Sequence, residues 1–234
     1  MIAIRKSNQR GHANHGWLDS YHTFSFAAYY DPKHMGFGPL RVINEDRVNP
    51  GKGFGSHGHE DMEILTYVLN GALAHKDSMG NIETLYANDL QRISAGTGIV
   101  HSEFNGSRTE PVHFLQIWLE PAVDGLTPSY QQLSLTEEQK LGKLVLVASP
   151  EGGGPLKIHQ DARVLIGQVE AGKELTHDLQ AGRQAWVHAI RGAVTVNGQP
   201  LTTGDAAAVT GEPVLTIAGT HANTELLVFD LPVA

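Results

Sequence analysis

Short apolar runs alternate with turn-forming residues along the whole chain. Each run is a few residues long, as expected for a β-strand, and lies between Gly, Pro, Asn or Asp. The runs are 40–43, 64–69, 114–119, 144–148, 164–166, 186–190 and 226–231. Many short strands separated by turn signals are typical of a β-sandwich or β-barrel. The pattern therefore predicts an all-β protein.

Two local signals refine this prediction. Asn197 and Gly198 lie between short apolar runs, and an Asn-Gly pair in that setting predicts a tight β-hairpin turn. Helical periodicity is scarce, and the best candidate begins near Thr136, because Thr136 and Gln139 have the spacing of a capping box. We therefore expect little helix.

The two halves of the chain share an order of features. Residues 64–71 and 185–192 each read as a strand ending at Gly, and each is followed by a second strand and an acidic turn. This order predicts two tandem jelly-roll barrels. A Gly-rich stretch from Glu151 to Pro155 marks the seam. The predicted boundaries are 1–133 for the first barrel, 134–154 for a linker with a short helix, and 155–234 for the second barrel.

Composition and charge narrow the chemistry. The 234 residues include no cysteine and 13 histidines, so disulfides and thiolate sites are excluded and any metal must be held by His, Asp or Glu. The formal net charge is −8, which disfavours nucleic acid as a partner. No apolar stretch has the length of a signal peptide or the roughly 18 residues of a membrane span. We therefore expect a cytoplasmic protein with no membrane partner.

Two pairs of candidate metal ligands have strand spacing. A His-x-His pair such as His57 and His59 is a weak signal by itself, since about one would arise by chance at this composition. On a strand, however, residues two apart share a face, and the same spacing separates His101 from Glu103. If the two strands are neighbours, four ligands converge on one divalent ion. Such a site retains open coordination positions, as catalysis requires.

Longer motifs around these residues resemble a known family. Gly51-x5-His57-x-His59-x3-Glu63 matches the first motif of the cupins, and Gly98-x2-His101-x3-Asn105 matches the end of the second. Further segments resemble the pirin branch of the cupin superfamily, specifically the bacterial pirin-like quercetinases. These segments are 10–20, 22–26, 41–44, 77–80, 94–103 and 116–118.

The resemblance carries a ligand set with it. In most metal-binding cupins the carboxylate ligand is the residue at Glu63, whereas in the pirin branch it is the Glu two positions after the third His, which is Glu103. The resemblance thus implies His57, His59, His101 and Glu103 as ligands and leaves Glu63 outside the first coordination sphere. Iron suits this donor set, and manganese, nickel, cobalt, copper or zinc also satisfy it.

The second half offers no comparable pair. Its histidines are His159, His177, His188 and His221, and no two of them have the i, i+2 spacing. We therefore expect the second barrel to lack a metal site and to support the first.

The implied activity is that of quercetin 2,3-dioxygenase, which uses O2 to open the central ring of a flavonol and releases carbon monoxide. Glu103 would accept the proton of the flavonol 3-hydroxyl. An alternative is a non-enzymatic pirin, a metal-dependent, redox-sensing partner of regulatory or metabolic proteins. A third possibility, a cupin isomerase with a polar substrate, fits less well with the aromatic N-terminal segment.

That aromatic segment has two interpretations. Its side chains could form the wall of a pocket for a flat ligand, or they could fill the core beneath the barrel, and core filling is the commoner use of large aromatics. We favour the core interpretation. The residues are Trp17, Tyr21, His22, Phe24, Phe26, Tyr29 and Tyr30.

Overall fold

The structure, a computed structural model, describes residues 1–152 and 155–233. Gly153 and Gly154, which belong to the predicted linker, and Ala234 lie outside the described residues. The contacts of the chain divide it into two compact units. The first unit comprises Gly11–Ser134 and Leu156–Gln160, and the second comprises Met1–Arg10, Leu135–Pro155 and Asp161–Ala234.

Nearly all regular structure is β-strand, which confirms the predicted fold class. In chain order the elements are β1 (Ile2–Arg5), a 3₁₀ turn (Ser7–Gln9), β2 (Gly11–Asn14), β3 (Leu18–His22), β4 (Leu40–Val48), β5 (Gly53–His59), β6 (Glu63–Asn70), β7 (Ala72–Asp77), β8 (Ile82–Tyr86), β9 (Asp89–Ser94), β10 (Ile99–Asn105), β11 (Val112–Leu119), β12 (Ser129–Ser134), α1 (Glu137–Lys140), β13 (Lys143–Ser149), β14 (Leu156–Lys157), β15 (Arg163–Val169), β16 (Glu174–Asp178), β17 (Arg183–Arg191), β18 (Ala193–Val196), β19 (Gln199–Thr202), β20 (Ala206–Thr210), β21 (Val214–Gly219) and β22 (Thr224–Pro232).

The two units repeat one topology. In the first unit a large sheet has the order β12-β9-β6-β11-β4-β3-β2 and a smaller sheet has the order β5-β10-β7-β8. In the second unit the corresponding orders are β1-β20-β17-β22-β15-β13 and β16-β21-β18-β19. The paired strands named in this section are antiparallel. The repeat that the sequence predicts for 64–71 and 185–192 thus corresponds to β6 and β17, which occupy matching places.

The unit boundaries differ from those predicted. The first ten residues belong to the second unit, because β1 pairs with β20 from Ile2 opposite Val209 to Arg5 opposite Ala206. The predicted linker contains β13, which pairs with β15 inside the second unit. The first difference arises because β1 pairs with a strand that is distant in the sequence. The second arises because the segment predicted to be a linker contains a strand.

The two local signals are confirmed. Asn197 and Gly198 have φ values of 45° and 81° and join β18 to β19, as a tight hairpin turn requires. Thr136 caps α1 through its side chain, which accepts a hydrogen bond from the Gln139 backbone N–H. The Gln139 side chain in turn accepts a hydrogen bond from the Thr136 backbone N–H. The helix is only four residues long. No helix in the described part of the chain has the length and apolar character needed to cross a membrane.

The interiors of the units differ in chemistry. Within the second unit, the inward positions of β16 and β21 are aliphatic, with Leu175, Leu215 and Ile217 in one buried cluster that β17, β18 and β20 also line. In the first unit the inward face of β11 reads Phe114, Gln116 and Trp118, so a polar residue lies between two apolar clusters. The polar interior belongs to the first unit.

Candidate metal centre

Strands β5 and β10 bring three histidines together. The two strands are antiparallel neighbours, with His57 opposite His101 and His59 opposite Ile99. One potential ligand atom from each of His57, His59 and His101 lies within 4.8 Å of the others. The i, i+2 spacing on β5 and the cross-strand pairing with β10 produce this cluster, as strand geometry predicts.

Each histidine of the cluster has a ring nitrogen that could bind a metal. His59 Nε2 and both ring nitrogens of His101 are buried and have no hydrogen-bond partner within the described residues. Buried polar atoms in native proteins are almost always satisfied, so these orphaned nitrogens fit a bound cation. His57 differs, because its Nδ1 lies 2.7 Å from the Gly55 carbonyl oxygen. Nδ1–H therefore donates to that oxygen and Nε2 keeps a free lone pair.

Burial also keeps two of these rings neutral. It lowers the pKa of His59 to about 4, with a further contribution from His57. It lowers the pKa of His101 to about 3, assisted by the neighbouring histidines. Neutral imidazole is the form that binds a metal.

Glu103 lies beside His101 but in a second, overlapping triplet. Ligand atoms of His75, His101 and Glu103 are within 4.8 Å of one another. The two triplets share His101, and neither of them contains all four predicted ligands. A register shift on β10 between His101 and Glu103 places Glu103 opposite Phe54 on β5.

Neutral donors surround the Glu103 carboxylate. Gln91 Nε2 donates to Oε1 at 2.6 Å and Gln116 Nε2 donates to Oε2 at 3.1 Å. Thr66 Oγ1 lies 3.4 Å from Oε1. Burial nevertheless raises the pKa of Glu103. The carboxylate is thus held in a fixed orientation and is more basic than an exposed one.

These donors belong to a row of polar side chains across the large sheet that was not predicted from the sequence. Reading across the large sheet, the row consists of His22, Asn44, Gln116, Thr66 and Gln91, each paired in register with the next. We call it the polar row. Thr66 and Gln116 lie within the apolar runs 64–69 and 114–119, and their polarity there was the signal available in the sequence.

His75 was also not predicted as a residue of the candidate site, although it belongs to the second triplet. Its side chain is fully buried and its Nε2 lies 3.0 Å from Asp77 Oδ2. The pair has the same i, i+2 spacing as the predicted ligands, and this spacing was the signal that could have drawn attention to it.

Glu63 is engaged elsewhere. It is buried, its Oε2 accepts a hydrogen bond from Ser94 Oγ at 2.9 Å, and its Oε1 lies 3.1 Å from His159 Nδ1. Neither metal-ligand triplet of the described residues contains it.

A cavity of about 850 Å³ opens onto the cluster. His57, His59 and Glu103 line one part of it, and aromatic side chains line it together with small and polar residues. The favoured core interpretation of the aromatic segment holds for Phe24, which is buried, whereas other members line the cavity. The lining aromatics are Trp17, Phe26, Tyr29, Phe54 and Trp118.

Close contact between β5 and β10 requires glycine at position 53. A Cβ there would lie 2.3 Å from the Glu103 carbonyl oxygen and 2.5 Å from Phe104 Cα. We expect Gly53→Ala to push the strands apart, lower the free energy of unfolding by about 1–3 kcal/mol, and weaken metal binding. Gly55→Ala is the matched control on the same strand, because a Cβ at Gly55 meets nothing within 4 Å. Denaturant unfolding and metal titration check both variants, and equal effects would contradict the prediction.

The topology and the site define a class of protein: a two-barrel, cupin-type chain with a candidate metal centre in its first barrel. Comparison with known proteins then identifies the family. The family described as Pirin matches residues 3–119, and the quercetinase C-terminal cupin domain matches residues 146–231. The chain belongs to the pirin family.

Relatives agree along the full length. The chain is 48% identical to quercetin 2,3-dioxygenase of Escherichia coli K12, over 99% of both chains. It is 40% identical to a pirin-like protein of Caulobacter vibrioides, over 98% of this chain and 99% of that one. The crystal structure of the bacterial pirin YhhW from Escherichia coli in complex with nickel(II) superposes with a TM-score of 0.95 at 48% identity, covering all of both chains. The chain is therefore quercetin 2,3-dioxygenase-like in sequence throughout.

Proposed function

We propose that this chain is a metal-dependent dioxygenase that opens the central ring of quercetin-type flavonols with O2 and releases carbon monoxide. The observation that carries the proposal is the cluster of His57, His59 and His101, of which His57 and His59 line a cavity that aromatic side chains also line. The 48% identity to a quercetin 2,3-dioxygenase over nearly the whole chain supports the choice of reaction.

The donor set suits one divalent transition metal, and we assign His57, His59, His101 and Glu103 as its ligands. The nickel(II) complex of the related bacterial pirin supports binding of a divalent ion. We propose iron as the native metal, since histidines and a carboxylate with open positions suit non-haem Fe(II) oxygen chemistry. Glu63 is a poor alternative, because neither metal-ligand triplet of the described residues contains it, whereas Glu103 shares a triplet with His101.

The protein's own groups account for the first step, loss of the flavonol 3-hydroxyl proton. A divalent metal bound at this site would lower the pKa of a coordinated hydroxyl. Glu103 accepts the proton as a general base, because its carboxylate lies beside the histidine cluster and lines the cavity. Gln91 and Gln116 hold the carboxylate in place through their amide donors. The aromatic walls bind the flat ligand and exclude water from it.

The test uses the untagged wild-type chain. Bound metals are measured by mass spectrometry, and quercetin absorbance and O2 uptake are followed on the same sample. We expect about one metal per chain, loss of quercetin with matching O2 uptake, and release of carbon monoxide. Stoichiometric metal without consumption of quercetin or O2 would overturn the enzymatic proposal and leave the role of a metal-dependent protein partner.

A further inference from the structure

Four polar side chains form a compact group in the wall of the cavity, and the proposed ring opening makes no use of them. They lie on neighbouring strands β3 and β4, with Ser20 opposite Asp46 and His22 opposite Asn44. All four are at least nine-tenths buried, with 3–5% of their surface exposed, and all four line the cavity. Such a buried polar group has a high energetic cost unless its members find partners.

Hydrogen bonds fix the protonation of His22. Burial raises the pKa of Asp46 to about 7, so its carboxyl group is ionised above that pH. In that state Ser20 Oγ donates its only hydrogen to Asp46 Oδ1, and His22 Nε2 lies 2.9 Å from the same Oγ. Since Ser20 has no further hydrogen to give, His22 Nε2–H must donate to it. Burial lowers the pKa of His22, with contributions from His12 and His15, so the ring is neutral. A neutral ring with hydrogen on Nε2 carries a lone pair on Nδ1.

Two acceptors are therefore left without a donor. His22 Nδ1 and Asn44 Oδ1 are buried and have no hydrogen-bond partner among residues 1–152 and 155–233. Their residues face each other across β3 and β4, which brings side chains on one face to within about 5 Å at Cβ. Two adjacent acceptors suit a ligand group with two adjacent donors. They repel an anionic group, and the Asp46 carboxyl behind them adds to that repulsion.

We propose that His22 and Asn44 form a subsite that binds a vicinal pair of hydroxyl groups on an aromatic ring of the substrate. Ser20 and Asp46 are positioning residues that hold the His22 ring with Nδ1 free. Phe26 packs edge-on against His22, with ring centroids 5.3 Å apart, and Tyr29 also lies nearby, so aromatic surface covers the ring that bears the hydroxyls. This inference rests on the proposed function, since it names the part of a flavonol that the cavity selects.

The test compares two ligands that differ only in that hydroxyl pair. Quercetin carries it, and 3,5,7-trihydroxyflavone lacks it. Dissociation constants for both are measured by calorimetry on the protein as purified, under nitrogen so that no turnover occurs. We expect the wild type to bind quercetin at least about tenfold more tightly, as two net hydrogen bonds would give. Asn44→Leu and His22→Phe, which remove one acceptor each with similar side-chain size, should reduce this ratio to about two or less.

A matched control is available at the cavity rim. His15 is exposed and also lines the cavity, so His15→Phe should keep the wild-type ratio. Ser20→Ala should lower the ratio while leaving Asn44 in place, because the His22 ring is no longer held. Circular dichroism and metal content establish that each variant is folded. Because the two acceptor variants are independent, one of them still tests the subsite if the other does not fold.

The outcomes separate this inference from the proposed function. Equal affinity of the wild type for both flavonols, or a ratio that survives both acceptor variants, would overturn the subsite even where turnover is intact. The expected ratio without O2-dependent consumption of quercetin would support the subsite and refute the dioxygenase activity. If neither flavonol binds, both proposals are wrong.

Discussion

Replacing His57 with alanine should abolish stoichiometric metal binding and with it all O2-dependent loss of quercetin. His57 supplies one of three clustered imidazoles, and its Nδ1 bond to the Gly55 carbonyl oxygen aims Nε2 as a ligand. Changing a residue that only supports a ligand typically weakens metal affinity 10–100-fold. We expect removal of the ligand itself to weaken it by more than about 100-fold. Competition with a chelator and mass spectrometry of the gel-filtered protein measure the effect.

His113→Ala is the control for this experiment. His113 lies in the same unit, and its Nε2 is 3.0 Å from Glu45 Oε1 rather than near the cluster. It should retain metal and activity. Normal metal content in the His57 variant would rule out His57 as a ligand.

Replacing Glu103 with glutamine should lower kcat for quercetin by about 10²- to 10⁴-fold, the usual contribution of a positioned general base. Glutamine has nearly the same shape, but it cannot accept a proton at neutral pH. One of its two terminal positions becomes an NH₂ group, which would face the amide donor of Gln91 or Gln116. We therefore expect weaker metal binding as well. Steady-state kinetics and metal titration on one preparation measure both losses.

Glu63→Gln provides the matched comparison for Glu103. Both carboxylates are buried in the same unit, yet the Glu63 oxygens contact Ser94 and His159. Glu63→Gln should therefore keep its metal and most of its activity. If it loses metal while the Glu103 variant keeps it, the carboxylate ligand is Glu63, and the assignment made from the family resemblance is wrong.

Short-range features of the fold were predictable from the sequence, because each depends on a few adjacent residues. Asn197 and Gly198 specify a turn through their tolerance of positive φ, and Thr136 specifies a cap through one side-chain oxygen. The position of β1 was not predictable. Its partner β20 lies about two hundred residues away, and no local pattern in residues 2–5 indicates which strand they join.

In the candidate site, too, the features that depend on adjacent residues were predictable and those that depend on pairing between distant strands were not. The i, i+2 spacing of His57 and His59 was visible in the sequence. The cluster forms because β10 pairs with β5 and places His101 opposite His57. Thr66 and Gln91 could not be assigned to the site, because no local pattern in the sequence indicates which strands are neighbours. Only the register across β9, β6 and β11 shows that both lie beside Glu103.

The pairing of β1 with β20 has a consequence for dissecting the protein into parts. A fragment that starts at Leu135 would omit β1 and leave residues 206–209 of β20 with a row of unpaired backbone N–H and C=O groups. An open edge of this kind readily recruits a strand from another molecule. The second unit is therefore a discontinuous domain, and a soluble version requires residues 1–10, for instance attached by a linker to the end of β22 in a circular permutant.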